Sequence, residues 1–206
     1  MKYLISGGGN PGDWQFHNIG AGNKVTAPFG LDNGCYSGTF DKYKFDKYLK
    51  RIEDRRDICL FLVMPDKMRD PVETLRLWEK YHDEYRSWPL AYVAQDGQEN
   101  LSYPPDDEWV CLFIGGSTEW KMSDGAKRCI SYAVSHGKHV HIGRINSYKR
   151  FKHFSRLPGG ESFTCDGTKQ RFEGKEKANE TYRSYENKYA NSLCGDLFAG
   201  DSGGEC

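Results

Sequence analysis

The stretch that decides the fold is Pro28-Phe29-Gly30-Leu31-Asp32-Asn33-Gly34. Its apolar start predicts a short buried strand that stops at the Asp32 carboxylate. The Asn-Gly pair that follows tolerates positive φ, so a sharp turn is predicted just past this carboxylate. The stretch therefore places an acidic group at the C-terminal end of a strand, beside a tight loop.

The same plan, in which an apolar segment runs into a polar or glycine stop, recurs along the chain. It is found in Val63-Met64-Pro65-Asp66, Val93-Ala94-Gln95-Asp96-Gly97, Phe113-Ile114-Gly115-Gly116 and Phe163-Thr164-Cys165-Asp166-Gly167. In all, the sequence predicts seven strands, over residues 3–6, 28–32, 58–64, 90–94, 110–114, 139–143 and 162–165. Helical patterns alternate with these strands, which predicts a parallel sheet with right-handed crossovers.

The predicted fold class is therefore α/β. Seven strands with polar ends on one side favour a small TIM-type (β/α) barrel over an open doubly wound sheet. The chain has 206 residues, whereas a typical barrel of this kind needs about 250, and no eighth strand is evident. We expect one catalytic barrel domain over residues 1–192, trimmed or incompletely closed, and a flexible C-terminal tail over residues 193–206.

Composition narrows the class of protein. Hydrophobic residues make up 37% and charged residues 28% of the chain, which is typical of a globular protein and not of a disordered one. No apolar run is long enough to span a bilayer, and the N-terminus has no signal-type apolar core, so a cytoplasmic location without a membrane partner is expected.

The seven cysteines lack zinc-ligand spacing, so we expect reduced thiols and no structural metal, with a disulfide involving Cys194 or Cys206 left open.

The net charge is zero, which argues against non-specific coating of nucleic acid. Positive charge is nevertheless concentrated in the C-terminal third of the chain. The residues concerned are Arg144, Lys149, Arg150, Lys152, His153 and Arg156, followed by Lys169, Arg171, Lys175 and Lys177. A solvated helix face is the ordinary interpretation, but the position of these residues around Asp166 leaves a role in binding a phosphate backbone open.

Three carboxylates lie at predicted strand ends, those of Asp32, Asp66 and Asp166, together with the Gln95 amide and the backbone donors of Gly115-Gly116. In a barrel, side chains from different strands converge at the C-terminal face, where catalytic groups lie. One aspartate alone would be interpreted as a cap, but the set predicts a catalytic site. Paired carboxylates suit glycosidic chemistry, in which one attacks the anomeric carbon and the other handles the proton of the leaving group.

Other polar residues near strand ends have two interpretations. Arg144 and Asn146 are candidates for binding a phosphate or a sugar, with a structural role equally open. His139 and His141 alternate along one predicted strand, and we interpret them as core or rim histidines, not as a metal pair. No cofactor is predicted.

Six motifs resemble those of the tRNA-guanine transglycosylase superfamily and occur in the same order as in that family. The resemblance is strongest to its phage and bacterial branch, which inserts 7-deazaguanines into DNA. The motifs are Asp32-Asn33-Gly34-Cys35-Tyr36, Met64-Pro65-Asp66, Gln95-Asp96-Gly97, Phe113-Ile114-Gly115-Gly116-Ser117-Thr118-Glu119-Trp120-Lys121, Gly143-Arg144-Ile145-Asn146-Ser147 and Cys165-Asp166-Gly167-Thr168. The resemblance covers residues 28–168.

The resemblance implies a (β/α) barrel that replaces guanine by double displacement through a covalent enzyme–sugar bond. By position, Asp166 resembles the nucleophile and Asp32 the general acid and base, while Asp66, Gln95 and Gly116 resemble the groups that hold the purine edge. The implied partners are guanine-containing DNA and a free 7-deazaguanine base. The implied location is the cytoplasm, or the host cytoplasm for a phage-encoded chain.

Two departures from the family pattern bear on the substrate. The tRNA enzymes carry a zinc site of clustered cysteines and a histidine, and this sequence lacks such a cluster. The Ser-Gly-Gly that usually follows the acid/base aspartate in the family is replaced here by Asn33-Gly34-Cys35. Both favour DNA over tRNA. A tRNA-guanine transglycosylase, an N-glycoside hydrolase of the same barrel type and a non-catalytic nucleic-acid-binding barrel stay open as alternatives. The incoming base, the DNA context and strandedness, and the oligomeric state are not predicted.

Overall fold

The computed structural model describes residues 1–6, 13–19, 24–35, 38, 40–168 and 173–198. In this part of the chain, strand segments that pair only in parallel form a single sheet. They are β1 (Lys2–Tyr3), β2 (Ile5–Ser6), β3 (Gln15–Asn18), β4 (Phe29–Asp32), β5 (Cys59–Val63), β6 (Leu90–Ala94), β7 (Cys111–Ile114), β8 (His139–Ile142) and β9 (Thr164–Cys165).

The sheet curls into an α/β barrel. The N-terminal strand joins its two edges, because its first half (β1) pairs with β9 and its second half (β2) pairs with β3. The strand order is β1-β9-β8-β7-β6-β5-β4-β3-β2, and β1 and β2 are two halves of one strand, interrupted at Leu4. The Lys2 amide donates to the Phe163 carbonyl and the Ile5 amide to the Trp14 carbonyl, each at 2.8 Å. Each half pairs with its neighbour over only two residues, so closure at this seam is incomplete. The predicted small, incompletely closed barrel is confirmed.

The eighth strand, which the sequence did not reveal, is β3. Its alternate residues Gln15 and His17 are polar but buried, and they are hydrogen-bonded to each other at 2.9 Å. Thr26 donates its amide to the Gln15 side chain at 3.1 Å, and the Tyr48 hydroxyl lies 3.2 Å from Nδ1 of His17. A strand with satisfied polar groups on its buried face resembles a loop in sequence, because the usual apolar alternation is missing.

Helices surround the barrel and begin at side-chain caps. They are α1 (Lys42–Arg51), α2 (Pro71–Tyr85), α3 (Thr118–Lys121), α4 (Asp124–Ser135), α5 (Tyr148–Ser155) and α6 (Lys175–Phe198). Asp41 caps α1, Asp70 caps α2 ahead of Pro71 at the first helical position, and serines cap the next three helices. Because helices run back against parallel strands, their capped N-termini lie on the same side as the C-terminal strand ends.

The core has two parts, one between the sheet and the helices and one inside the barrel. The interior is filled by Phe61, whose ring lies where a side chain at position 30 would project: a Cβ on Gly30 would come within 2.5 Å of it. Around this ring pack the buried residues Leu4, Phe16, Val63, Ala91, Val93 and Cys111. The interior is therefore a packed core, and the site can lie only at its mouth.

The C-terminal helix α6 packs over the seam of the barrel. Tyr182 is 2% exposed and stacks on Tyr3 with ring centroids 3.9 Å apart. The helix runs to Phe198, through the first residues of the predicted tail, while residues 199–206 lie outside the described part of the chain. Tyr36 of the first motif and the basic residues Lys169 and Arg171 also lie outside it.

Two sequence expectations concern composition. The five cysteines whose side chains are described, at positions 35, 59, 111, 129 and 165, are free thiols, and the side chains of Cys194 and Cys206 lie outside the described set. Among the described residues, no helix is both long enough and apolar enough to cross a membrane.

Candidate active site

The predicted site residues follow the C-terminal ends of six strands. Asp32 ends β4, Asp66 follows β5, Gln95 follows β6, Gly115 and Gly116 follow β7, Arg144 follows β8, and Asp166 follows β9. All strands of the sheet are parallel, so these ends share one face of the barrel. Hydrogen bonds then join Asp66 to Gln95, Gln95 to Gly116, Gly116 to Arg144, and Arg144 to Asp166.

Asp166 is held at the barrel mouth by two donors. The backbone amide of Arg144 donates to its Oδ1 at 2.8 Å, and Nε2 of His141 lies 3.3 Å from the same oxygen. No described residue donates to Oδ2, and the side chain is 10% exposed, so one carboxylate oxygen is left to face a ligand. Burial alone would raise the pKa of Asp166, but His141, the Arg144 amide and Lys121 outweigh it and lower that pKa below its ordinary value.

His141 is fully buried and acts on Asp166 from inside the barrel. Its ring packs against Phe61 and Phe113 at 4.9 Å, and burial lowers its pKa. Its other nitrogen, Nδ1, lies 2.9 Å from the Thr164 hydroxyl, which lies 2.7 Å from Nε2 of His139. With both imidazoles neutral, this chain of hydrogen bonds is complete when His139 donates to Thr164, Thr164 to His141 and His141 to Asp166. His141 is buried in the core and His139 is half-buried, which agrees with their interpretation as core or rim histidines, but the contact of His141 with Asp166 was not predicted.

Asp32 has the opposite electrostatic environment. It is half-buried, and accepts hydrogen bonds from the Asn18 side chain at 3.0 Å and from the Gly34 amide at 3.3 Å. Burial raises the pKa of Asp32 to about 7 against the opposing Gly34 hydrogen bond, and the negative charges of Asp166 and Asp66 add to the rise. The site thus holds one carboxyl that stays ionised and one that titrates near neutrality.

Asp66 is clamped between two side-chain amides. Asn33 donates to its Oδ1 and Gln95 to its Oδ2, both at 2.6 Å. Burial raises the pKa of Asp66, while these two hydrogen bonds and the Arg144 charge oppose the rise. The carboxylate is therefore fixed in orientation at the mouth.

The Gln95 side chain is buried, and its amide forms hydrogen bonds with other groups of the protein. Its Oε1 accepts from the backbone amides of Arg69 and Gly116, each at 2.9 Å, while Nε2 donates to Asp66. The predicted purine-binding amide and the Gly116 N–H are therefore bonded to each other in this structure. Their evident effect is to position Asp66.

Backbone strain marks the same site. Within the described residues, the non-glycine residues with positive φ are Arg69 and Arg144, both at 61°. Each donates its backbone amide to a site side chain, Arg69 to Gln95 and Arg144 to Asp166. Such conformations cost of the order of 1–3 kcal/mol and persist where the surrounding structure enforces them. Here the strained conformations of Arg69 and Arg144 orient their backbone N–H groups toward the Gln95 and Asp166 side chains.

The loops after β7, β8 and β9 are tied together around Asp166. The Arg144 guanidinium donates to the Gly116 carbonyl at 2.7 Å. Asn146 exchanges two hydrogen bonds with Thr168, at 2.9 and 2.8 Å, so its side chain fixes the loop that carries Asp166. A Cβ on Gly115 would come within 2.8 Å of Gln95, which explains glycine at this position.

Lys121 is a site residue that sequence reasoning missed. It is 3% exposed, and its Nζ donates to the Gly143 carbonyl at 2.7 Å, one residue before Arg144. Burial and then the Arg144 charge lower the pKa of Lys121 to about 7, and the Asp166 and Asp96 carboxylates oppose this shift. The only sequence signal was its place beside Trp120 in the fourth motif.

Comparison of the chain with protein-family models, with curated proteins and with solved structures finds no match. Among the described residues, no three His, Cys, Asp or Glu side chains are grouped so as to hold a metal ion. The chemistry of the carboxylates therefore carries the functional conclusion.

The clamp on Asp66 gives a first prediction. Asp66→Asn should lower the free energy of unfolding by about 1–3 kcal/mol, because the new amide NH2 would face a donor, Asn33 or Gln95, and leave a buried polar group unsatisfied. Urea denaturation measures the change. Asp107→Asn, at an exposed position, is the control and should stay within about 0.5 kcal/mol of the wild type. Equal stability of Asp66→Asn and the wild type would show that the clamp is not formed.

Proposed function

We propose that this chain is a base-exchange glycosyltransferase that replaces guanine in DNA with a 7-deazaguanine through a covalent aspartyl–sugar intermediate. The observation that carries the proposal is the opposite perturbation of two carboxyls at one barrel mouth. The pKa of Asp166 is lowered and that of Asp32 is raised to about 7. A nucleophile must stay ionised and a proton-transfer group must titrate near the working pH, so the two environments match the two roles.

In the first half-reaction, Oδ2 of Asp166 attacks C1′ of the target deoxyguanosine, which must first leave the base stack. The bond from C1′ to N9 breaks, its electron pair goes to the base, and the proton of Asp32 neutralises the departing guanine. In the second half-reaction, the incoming base loses its N9 proton to Asp32 and attacks C1′ from the opposite side. The C1′–Oδ2 bond breaks, and two inversions leave the sugar with its original configuration.

Asp66 is the group proposed to recognise the base. Each of its oxygens accepts one hydrogen bond from the protein, and a carboxylate oxygen has room for a second. It can therefore accept the N1–H and N2–H donors of a guanine-type base. The clamp by Asn33 and Gln95 supports this role, because a fixed acceptor loses little entropy when the base binds.

The proposal is tested by incubating the chain with isotopically labelled guanine and matched duplex DNA, single-stranded DNA or tRNA. Label should enter DNA, and an unlabelled 7-deazaguanine should then displace it. Label that enters only tRNA would make the chain a tRNA enzyme. Release of free guanine without incorporation would make it an N-glycoside hydrolase.

His141 gives a second prediction, because it can reach the reaction only through Asp166. His141→Phe should remove the hydrogen bond to Asp166 while an aromatic ring still fills the site between Phe61 and Phe113. The pKa of Asp166 should then rise, so the acidic limb of the pH profile of kcat should move to higher pH. The control is His136→Phe, at an exposed position outside this chain of hydrogen bonds, and it should leave the limb in place. An unmoved limb in His141→Phe would limit His141 to packing.

A further inference from the structure

A basic groove lies outside the barrel, between helices α4 and α5. It has a volume of ≈ 460 Å³ and is lined by Met122, Lys127, Lys149, Lys152, His153, Arg156 and Leu157. Most of its surface is apolar and comes from Met122, Leu157 and the hydrocarbon parts of the other lining residues, all of which are basic. The proposed chemistry at the barrel mouth uses none of these residues.

The charge of this basic groove is one-sided. Its lining contains no carboxylate, and Lys127 makes its ion pair with Asp124, which lies outside the lining, at 2.9 Å. The chain as a whole has no net charge, so the positive charge here is a local concentration. Several cations along one groove favour an extended polyanion over a single small anion.

His153 lines the basic groove with a half-buried ring. Its Nε2 atom is buried and makes no hydrogen bond with the described residues. Burial and the nearby Lys127 lower the pKa of His153, which favours the neutral ring. This nitrogen is buried, so the charge that the groove offers to a phosphate comes from its lysines and Arg156.

The basic groove adjoins the loops that carry the site. Met122 directly follows Lys121, whose ammonium bonds the Gly143 carbonyl. Arg150, between the two lysines of α5, lies 3.4 Å from the Arg144 carbonyl. A nucleic acid strand that leaves the barrel mouth at Arg144 would therefore reach α5 next.

We propose that this basic groove binds the phosphate backbone of the DNA substrate beside the nucleotide that enters the barrel mouth. This inference rests on the proposed function, which supplies DNA as the polyanion. Binding of phosphates releases condensed counterions, so the groove should contribute a salt-dependent share of affinity that does not depend on base sequence.

The test is the binding of fluorescent DNA duplexes, with and without guanine at the centre, by anisotropy between 50 and about 200 mM salt. Lys149→Gln/Lys152→Gln should weaken binding at low salt at least about tenfold and reduce the slope of log K against log salt by about 2, near 0.9 for each lysine. Both duplexes should be affected alike, because no base is read.

The matched control is Lys47→Gln/Lys50→Gln, two exposed lysines with the same spacing on α1, which should leave affinity and slope unchanged. Lys149→Arg/Lys152→Arg, which keeps the charge, should retain the wild-type slope. An unchanged slope in Lys149→Gln/Lys152→Gln, or an equal loss in the α1 control, would overturn the proposal, as would tighter binding of tRNA than of DNA at this groove.

The two proposals fail separately, because this assay needs no base exchange. A loss of DNA binding in Lys149→Gln/Lys152→Gln, with no label incorporated by the wild type, would support the groove and refute the transglycosylase. Incorporation of label by the wild type, with DNA binding that does not depend on Lys149 and Lys152, would support the transglycosylase and refute the groove.

Discussion

Asp166→Asn is expected to abolish base exchange, with a loss of about 10⁴-fold or more in kcat. The asparagine keeps the shape of the side chain and the oxygen that accepts the Arg144 amide, but its second position becomes a neutral NH2 that cannot attack C1′. DNA binding should be retained, because the phosphate contacts proposed for α5 do not involve this carboxylate. Label incorporation and anisotropy on the same protein measure the two effects.

The control for this variant is a carboxylate of the same type away from the barrel mouth. Asp107→Asn should exchange bases at the wild-type rate. If Asp166→Asn retained a tenth or more of the wild-type exchange rate, Asp166 would not be the nucleophile and the proposed double displacement would be wrong.

Asp32→Asn is expected to slow base exchange by about 10²–10⁴-fold, the usual contribution of a general acid or base. The pH dependence is the sharper readout. In the proposed mechanism, the protonated form of Asp32 is the acid for the departing guanine, and burial raises the pKa of Asp32 to about 7. In the wild type, the rate of base departure should therefore fall as the pH rises through about 7, where this acid loses its proton.

The asparagine does not titrate, so the residual rate of Asp32→Asn should lack this limb near pH 7. Single-turnover measurements of guanine release between pH 5 and about 9 separate base departure from later steps. A limb near pH 7 that survives in Asp32→Asn would assign it to another group. Lys121, whose pKa is lowered to about 7, would then be the next group to replace.

Local pattern was enough to predict most strands and the carboxylates that end them. An apolar run followed by Asp, Gln-Asp-Gly or Gly-Gly requires only neighbouring residues, so five strand ends could be located from the sequence. The strand β3 was missed because its buried face carries Gln15 and His17. These residues are satisfied by Thr26 and Tyr48, which lie too far along the chain for periodicity to connect them.

The connections within the candidate site could not be predicted, because they depend on how separate loops meet. Nothing in an arginine favours positive φ, so the amides that Arg69 and Arg144 aim at Gln95 and Asp166 follow only from the folded loops. The contact of His141 with Asp166 needs the register of β8 against β9, in which His141 pairs with Thr164. The burial of Lys121 likewise depends on packing around it.

The central claim is that Asp166, and not Asp32, forms the bond to the sugar. Its most direct test is mass spectrometry of protein denatured during turnover on guanine-containing DNA, digested with nuclease and trypsin. Trypsin separates the two candidates, because Asp166 lies in the peptide 157–169 and Asp32 in the peptide 25–42. We predict a nucleotide adduct on peptide 157–169 that is retained in Asp32→Asn and absent from Asp166→Asn. An adduct on peptide 25–42, or one that persists in Asp166→Asn, would contradict the account.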